Sequence, residues 1–366
     1  MEKELFTLLR LGLSITMTEE EDLSNFIMLS SEQWSQLGDL ARKQGVLGIM
    51  LDGVDKCQVS GFKFQFPMPQ MLRLEWIGEV LQIEQRNRQQ IAVMNDLAGR
   101  WKQQGCRVMV MKGQANGVFY PKPEHRNSGD IDCYLFDDYA RGNEIARQEG
   151  ANVDESWYKH SVINYKGETF ENHQYFVHTR DGKRGKRLNE ELVEQLKDKS
   201  EEIKVIPGTV VEMPSMQWTA MFLTYHACAH FISEGLRLKQ ILDWAMFLKT
   251  HQEDVDWVAF YAFCDRNHLR VFADEMNTIA EKYLGVRIKF KVESLEFRAS
   301  PYTEKIMHSA LYDDDYVFNS GKSGWANRLH LVKNMFRYRW KYEDIYQTSV
   351  WKQLWWYVSG YLFKTE

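Results

Sequence analysis

The stretch that decides the fold is RVMVMKGQANGVFYPKPEHRNSGDIDCYLF, residues 107–136, in which two aspartates one residue apart lie in an otherwise apolar run. The segments RVMVMK and DIDCYLF each predict a strand, and GQANGVFY between them predicts a short helix. Alternate side chains on a strand share a face, so Asp130 and Asp132 are predicted to project together while Ile131 enters the core. Carboxylates held this close repel one another unless a cation lies between them, and Mg²⁺ or a similar hard ion is the simplest choice.

The neighbouring residues favour a metal site over a solvated acidic face, which a D-x-D pattern also allows. Lys112 adds a cation at the end of the first strand, and Gly113 lets the backbone approach a ligand closely. The helix that follows can direct unpaired N–H groups at phosphate oxygens. Arg126 can grip a phosphate through two parallel hydrogen bonds, and Gly129 permits a sharp entry into the second strand. These parts together predict phosphoryl or nucleotidyl transfer.

Changes in the apolar period divide the chain into three zones. Residues 1–105 have a helical period and are predicted to pack on the zone that follows. Residues 106–214 mix strands with short helices, and residues 215–366 return to helix with many aromatic side chains. The predicted fold class is α+β: a small mixed β-sheet core flanked by helices, followed by a helical C-terminal domain.

Local signals predict where several elements begin and end. Ser30 has capping-box spacing ahead of a helix, and Ser300-Pro301 is an N-cap and first-turn pair for another. Hairpins are predicted to turn at Lys166-Gly167 and at Pro207-Gly208. The basic, glycine-broken segment 180–187 is predicted to be a mobile loop, either a solvated tether or a phosphate-contacting flap.

Composition limits the classes of protein. Of the 366 residues 44% are hydrophobic and 27% charged, which predicts a globular chain, and the net charge of −5 argues against general nucleic-acid binding. The five cysteines are widely spaced without a C-x-x-C pair, which predicts reduced thiols in a cytoplasmic protein. The run at 354–363 is about half of the ~20 residues that a membrane span requires, so it predicts a packed terminal helix, with a membrane-surface contact as the alternative.

The motifs VMVMKG and HRNSGDIDCYLF resemble the nucleotidyltransferase superfamily typified by DNA polymerase beta. More narrowly, they resemble an uncharacterised bacterial nucleotidyltransferase family over roughly residues 107–250. That family has a strand ending in Lys-Gly, an Arg a few residues before G-D-I-D, a later E-x-H on a neighbouring strand, and a helical half with a His and an R-x-x-x-D-like stretch. The matching segments here are MKG, HRNSGDID, ENH at 171–173 and HFISEGLRLKQILDW.

The resemblance implies a role for each residue of these motifs. Asp130 and Asp132 would hold divalent metal, and Glu171 would be a third carboxylate that helps to activate an attacking hydroxyl. Lys112 and Arg126, with Gly113, Gly129 and backbone N–H groups, would hold the triphosphate of an NTP. Many superfamily members have a serine or glycine where this chain has Gln114, so a serine contact to phosphate is missing.

Other residue groups have two interpretations each. His226 and His230 are spaced i, i+4 on a predicted helix, which allows a zinc pair but favours helix packing with one histidine turned toward the cleft. Arg237 and Asp243 line the cleft or form a buried ion pair elsewhere. His173 orients Glu171, touches substrate or caps its strand.

The basic and aromatic segment 328–346 has two interpretations as well. It suits single-stranded nucleic acid, which binds to such segments by stacking and charge, or a helix whose basic stems cover its aromatic side. The second is favoured, because the net negative charge of the chain gives no supporting field.

The sequence thus predicts a cytoplasmic nucleotidyltransferase that uses Mg²⁺ or Mn²⁺ to move a nucleoside monophosphate from an NTP, such as ATP, to an acceptor hydroxyl with release of pyrophosphate. The acceptor, a small molecule, a protein side chain or an RNA end, is left open. The alternative is a catalytically impaired nucleotide-binding or interaction protein on the same scaffold.

Overall fold

The computed structural model describes residues 1–15, 26, 28–59, 68–179, 182–197, 204–290, 302–313 and 325–355. Its helices are α1 (Glu2–Gly12), α2 (Ser31–Gln44), α3 (Leu47–Val59), α4 (Gln70–Gln103), α5 (Gln114–Gly117), α6 (Tyr139–Gln148), α7 (Lys183–Lys197), α8 (Met216–Ser233), α9 (Leu238–His251), α10 (Trp257–Arg266), α11 (Arg270–Leu284), α12 (Tyr302–Tyr312) and α13 (Trp325–Arg337). Its strands are β1 (Met109–Val110), β2 (Ile131–Tyr134), β3 (Asn152–Asp154), β4 (His160–Tyr165), β5 (Glu168–His173), β6 (Lys204–Val205) and β7 (Glu212–Met213).

The strands form one mixed sheet in the order β3-β4-β5-β2-β1-β7-β6. The pairs β2–β5 and β1–β7 are parallel and the other neighbours are antiparallel. The α+β class with a mixed sheet is therefore confirmed. The division of the chain at residues 105 and 214 stays a prediction; all the strands described lie between them.

Both predicted hairpins are present. β4 and β5 pair from His160 opposite His173 to Tyr165 opposite Glu168, and the turn residues Lys166 and Gly167 have φ of 48° and 84°. Two successive positive φ values give the turn a twist that matches the strands. The second hairpin joins β6 to β7.

α6 covers one face of the sheet and leaves the other to the C-terminal helices. Asn172 of β5 donates to Asn143 of α6 at 2.8 Å, and Ser161 of β4 donates to the same side-chain oxygen at 2.7 Å. Because side chains alternate along a strand, the neighbours of Asn172 in sequence, Glu171 and His173, point to the opposite face. The candidate site lies on that face.

The long helix α4 fixes the loop that leads into β2. Asn87 donates to the carbonyl oxygens of Glu124 and Arg126 at 2.7 and 2.9 Å, and Gln90 donates to that of Gly129 at 2.6 Å. Further along α4, the Trp101 side chain packs edge-on against a sheet residue in the core. These bonds satisfy backbone carbonyls in a loop whose described residues include a short 3₁₀ helix, Pro123–His125, so the loop has a defined path.

The basic segment 180–187 is where the loop prediction fails. α7 begins at Lys183, and its apolar residues Leu188, Leu192 and Leu196 are buried at helical spacing. Arg184 donates to the Tyr346 carbonyl at 3.1 Å and its guanidinium lies 3.7 Å from the ring centroid of that tyrosine. Packing of the leucine face outweighs the two glycines that suggested a loop.

Some of the other sequence predictions agree with the structure, and others concern residues that the structure does not describe. The Ser30 capping box is present at the start of α2, and the five cysteines are buried and free. Tyr338, Tyr342 and Tyr346 in the basic and aromatic segment are buried, which agrees with helix packing there. Ser300-Pro301 lies outside the described residues, as does most of the 354–363 run. Among the helices described, none has the length and apolarity to cross a membrane.

Candidate metal centre in the cleft

Two parallel neighbouring strands bring the predicted carboxylates together. Asp132 of β2 is directly opposite Glu171 of β5, and His173 follows two residues later on the same face. One ligand atom each from Asp132, Glu171 and His173 lies within 4.8 Å of the other two. Within the described ranges, these three side chains form the group of His, Cys, Asp or Glu residues that could hold a metal ion.

Asp130 lies beside this group but differs from it. It is exposed and precedes the first residue of β2, so the prediction that it lies within the strand is wrong by one residue. The pairing of β2 with β5 begins at Ile131, opposite Phe170, and the pairing of β2 with β1 extends only to Cys133. Asp130 and Asp132 nevertheless line the same cavity. Partial burial and the nearby Glu171 and Asp132 charges raise the pKa of Asp130.

Asp132 is buried, and only one of its oxygens is used. Its Oδ1 lies 3.0 Å from Nζ of Lys112 and 3.1 Å from Nε2 of His173. Its Oδ2 is buried without a hydrogen-bond partner in the part of the chain described. Although burial raises it, the pKa of Asp132 is lowered overall by the Lys112 ammonium and the His173 hydrogen bond. An ionised, buried oxygen without a donor is a place for a cation.

The hydrogen bonds of His173 orient it as a metal ligand. Its Nδ1 lies 3.1 Å from the Tyr175 carbonyl oxygen, so this nitrogen carries the proton. Its Nε2 faces Asp132 Oδ1 and lies 3.4 Å from Glu171 Oε2. In the neutral imidazole this nitrogen has a lone pair, and a cation between it and the two carboxylates would satisfy all three groups. A carbonyl that fixes the tautomer is the usual second partner of a metal-bound histidine.

Glu171 is half-buried at the edge of the group. Although burial raises it, the pKa of Glu171 is lowered overall by the hydrogen bond with His173, and the His160 ring contributes in the same direction. The carboxylate is therefore ionised at neutral pH, as a ligand or a proton acceptor must be. The residues present fit a divalent cation, with two carboxylates and one imidazole as donors.

Lys112 connects the acidic wall of the cleft to the helical wall. Besides its contact with Asp132, its Nζ lies 3.2 Å from Nε2 of His226 on α8. His226 and His230 face one another, with 3.1 Å between their Nε2 atoms, and His230 Nδ1 contacts Glu234. Both histidines line the cavity. In the described segments no third metal-ligand side chain joins them, so the zinc alternative lacks a complete ligand set.

Gly113 follows Lys112 with φ of 65°, a conformation that favours glycine. It lines the cavity and is the N-cap of α5, which is only four residues long. Gln114 points away from the cavity into the scaffold: its Nε2 donates to Gln90 of α4 at 2.9 Å. Gly113 therefore lines the cleft. Gln114, at the position where many superfamily members have a serine, does not.

Arg126 and Asp243 form a buried ion pair in the wall of the cavity. The Nε and Nη2 atoms of Arg126 each donate to Asp243 at 2.7 Å, and Nη1 lies 3.3 Å from Ser128 Oγ. Asp243 also accepts from Tyr120 at 2.7 Å and from Asn116 at 3.1 Å. Although burial raises it, the pKa of Asp243 is lowered overall by the Arg126 charge. Most of the predicted phosphate-binding guanidinium is thus engaged within the protein.

Asp243 lines the cavity, which agrees with the first interpretation given to it, and its buried ion pair with Arg126 lies in the cavity wall rather than elsewhere. Arg237 is exposed at the N-cap of α9 and is not among the cavity-lining residues. Gly129 lines the cavity at the entry to β2. Two lysines near the site, Lys159 and Lys239, were missed by sequence reasoning. A lone lysine carries no local sequence signal, whereas His173 could have been chosen from its i, i+2 spacing with Glu171 on one strand face.

A mixed sheet with a carboxylate and histidine group in a cleft against helices defines the class: an α+β protein with a candidate metal centre. Residues 30–285, more than half of the chain, match the sequence model of a family described as uncharacterised nucleotidyltransferase, so the chain belongs to that nucleotidyltransferase family. No curated protein and no solved structure gave a significant match. The family predicted from the Lys-Gly and G-D-I-D motifs is confirmed; its bacterial origin and its place in the DNA polymerase beta-like superfamily stay predictions.

Proposed function

We propose that this chain is a divalent-metal-dependent nucleotidyltransferase that moves a nucleoside monophosphate from an NTP to an acceptor hydroxyl and releases pyrophosphate. The observation that carries the proposal is the convergence of Asp132, Glu171 and His173, with a buried Asp132 oxygen left without a donor. Family membership supports the reaction class. Magnesium or manganese, ATP or another NTP, and a DNA polymerase beta-like mechanism are parts of this proposal.

Asp132, Glu171 and His173 would hold the metal, and Asp130 at the mouth would add a further carboxylate. When bound, a divalent cation supplies Lewis acidity that stabilises charge on the reacting phosphoryl oxygens. Asp130 is suited to a site that forms only with substrate, because its exposed carboxylate is repelled by Glu171 and Asp132 until positive charge arrives. Asp132 would therefore bind metal whether or not substrate is present, and Asp130 would bind it only with substrate.

The chain's own residues would bind the polyphosphate on the Lys112 side of the metal group. Lys112 carries the cation closest to Asp132, and Gly113 leaves room for phosphate oxygens to approach the backbone. Lys239 lines the same cavity, and no hydrogen bond or salt bridge engages its ammonium within the described residues. Arg126 would act mainly by holding the wall in place through Asp243, with Nη1 as its less engaged nitrogen.

The reaction balances as an in-line displacement. The acceptor oxygen forms a bond to the α-phosphorus, the bond to the pyrophosphate oxygen breaks, and pyrophosphate leaves with that electron pair. Glu171, ionised and only half-buried, would take the proton from the acceptor hydroxyl. His173, held by the Tyr175 carbonyl, would keep Glu171 and Asp132 in position.

The test is an Asp130→Asn/Asp132→Asn double variant incubated with α-labelled NTPs, Mg²⁺ and a cell extract. We expect wild type to release pyrophosphate and label a product, and the double variant to lose both while its circular dichroism stays unchanged. Asp137→Asn, an exposed aspartate just beyond β2, is the matched control and should behave as wild type. Transfer that persists in the double variant would refute the assignment.

A catalytically impaired nucleotide-binding protein is the second candidate. It is favoured by the engagement of two predicted phosphate contacts elsewhere: Arg126 with Asp243, and Gln114 with Gln90. The same incubation separates the two candidates. NTP binding by wild type without pyrophosphate release, across extracts and with either Mg²⁺ or Mn²⁺, would favour the second.

A further inference from the structure

An aromatic ledge adjoins the candidate metal centre next to Glu171. We define the ledge by Trp157, Tyr158 and Lys159, which precede β4, and by Tyr175 and His178, which follow β5. The Lys159 carbonyl accepts from the backbone N–H groups of residues 174 and 175 at 2.9 and 3.0 Å, which joins the two segments. The ledge is therefore one surface.

The ledge is connected directly to the metal group through two histidines. His160, next to Lys159, is paired with His173 across β4 and β5, and their rings stack with centroids 5.1 Å apart. His160 Nε2 lies 3.8 Å from Glu171 Oε2, while its Nδ1 is buried without a hydrogen-bond partner among the described residues. A molecule on the ledge would thus be close to the proposed proton acceptor.

Aromatic rings form the outer part of the ledge. The centroid of the Trp157 ring lies 5.1 Å from that of Tyr158 and 6.1 Å from that of His178. Trp157 is still 45% exposed, although it is a large apolar side chain. An exposed indole at the edge of a site offers a stacking surface to a planar ring or to the C–H face of a sugar.

Lys159 supplies the charge at the inner part of the ledge. The side chain is half-buried, and no hydrogen bond or salt bridge engages its ammonium within the residues described. Burial and the Lys112 charge lower the pKa of Lys159, against the attraction of Asp132, Glu171 and Glu234. Glu234, the acidic group on the facing helix, is already bonded to His230. A half-buried cation without a bonded partner would gain by pairing with an anion.

The position of the proposed proton acceptor indicates which substrate the ledge contacts. The acceptor hydroxyl must reach Glu171 to lose its proton, and its oxygen attacks the α-phosphorus opposite to the departing pyrophosphate oxygen. The ledge adjoins Glu171 through His160, whose Nε2 lies 3.8 Å from Glu171 Oε2. We propose that the ledge binds the acceptor, and that the acceptor is a small molecule with an anionic group for Lys159 and a planar or sugar ring for Trp157; this rests on the proposed function.

The experiment uses the full chain, α-labelled NTPs, Mg²⁺ and the small-molecule filtrate of a cell extract, passed over an anion exchanger. We expect the acceptor in the retained fraction. Lys159→Gln should raise its KM roughly tenfold or more, the loss of a charge-assisted hydrogen bond, without changing the KM of the NTP. Trp157→Ala should raise the acceptor KM roughly tenfold for lost stacking. Lys159→Arg should restore much of the acceptor affinity. Such a recovery would show that Lys159→Gln acts through the lost charge and not through misfolding.

Lys186→Gln, an exposed lysine on α7, is the control and should leave both KM values unchanged. An acceptor that passes through the exchanger, a labelled macromolecule as the main product, or a Lys159→Gln effect on the NTP alone would each overturn the ledge proposal while leaving nucleotidyl transfer intact. Absence of transfer by wild type on every fraction and on whole extract would instead overturn the proposed function, and the ledge proposal with it.

Discussion

The two buried carboxylates of the cleft, Asp132 and Asp243, differ in how fully their oxygens are engaged. Asp243 accepts two hydrogen bonds from Arg126 and one each from a neighbouring tyrosine and asparagine. The Oδ1 of Asp132 lies 3.0 Å from Lys112 Nζ and 3.1 Å from His173 Nε2, and its Oδ2 has no donor in the described part of the chain. A saturated buried carboxylate fixes the wall of a site, whereas one with an unused oxygen has the capacity to bind a ligand.

The largest effect on stability is expected at the saturated carboxylate. Asp243→Ala would leave the Arg126 guanidinium buried without its counter-charge, at a cost of about 3–5 kcal/mol in the free energy of unfolding. Urea denaturation measures this. The double variant Arg126→Met/Asp243→Leu should recover most of the loss, because no lone charge remains. Exposed salt bridges contribute up to about 1 kcal/mol. If Asp243→Ala lowered the free energy of unfolding by less than this, Asp243 would not be the saturated structural carboxylate that distinguishes it from Asp132.

The next effect is expected at the unsaturated carboxylate, and it depends on metal. Mg²⁺ or Mn²⁺ at one hundred times its dissociation constant should stabilise the wild type by about 2.7 kcal/mol, because the ion binds the folded chain only. Asp132→Asn should remove this gain, and Asp137→Asn should keep it. Unfolding curves with and without metal provide the measurement. Equal stabilisation of the Asp132 variant would mean that the ion binds elsewhere.

Two histidines extend the comparison of saturated and unsaturated groups to the pH dependence of stability. His125 is bonded on both nitrogens, to Asp52 and Glu84 at 2.9 Å each, whereas His173 has one nitrogen turned to the carboxylates of the metal group. Although burial lowers it, the pKa of His125 is raised overall by Asp52 and Glu84. A raised folded-state pKa contributes stability that is fully present below the unfolded value of about 6.5 and is lost as pH rises through the folded value.

His125→Gln should therefore reduce the free energy of unfolding most at acidic pH, and the difference from wild type should shrink as pH rises above neutral. Unfolding measured across a pH series tests this. The control is His308→Gln, a histidine on α12 outside this network. A difference that grows with pH would contradict the charged state assigned to His125.

The smallest effect is expected at Gln114. Gln114→Ala removes the hydrogen bond to Gln90 and should cost about 1 kcal/mol in stability. NTP affinity should not change, since the side chain points into the scaffold. Unfolding curves and equilibrium NTP binding measure the two quantities. A marked loss of NTP affinity would instead give Gln114 the phosphate contact that a serine makes in many superfamily members.

Local sequence rules predicted much of the sheet. The turn at Lys166-Gly167, the strand containing Asp132 and the placement of Glu171 on a neighbouring strand agree with the structure. They could be predicted because turn residues and period-2 alternation act over a few residues. The α7 helix was missed for the opposite reason: its stability comes from burying one leucine face against the rest of the chain, and this outweighs its glycine.

Partners distant in the chain could not be predicted. Arg126 was expected to grip phosphate, yet most of its donors are directed at Asp243, a residue 117 positions away. The spacing of residues near Arg126 carries no information about a carboxylate on α9. Lys159 was overlooked because its position beside the metal group depends on the pairing of β4 with β5.

The sequence by itself determined the chemical groups and their local geometry: the alternating side chains around Asp132 and the E-x-H spacing of Glu171 and His173. Only the tertiary structure decided which groups bond to one another. Arg126 is bonded to Asp243 in the wall of the cavity, and one oxygen of Asp132 can still bind a ligand. The physical reason is that alternation along a strand follows from bond geometry over a few residues. The saturation of a buried charge depends on every side chain that packing brings within hydrogen-bonding distance.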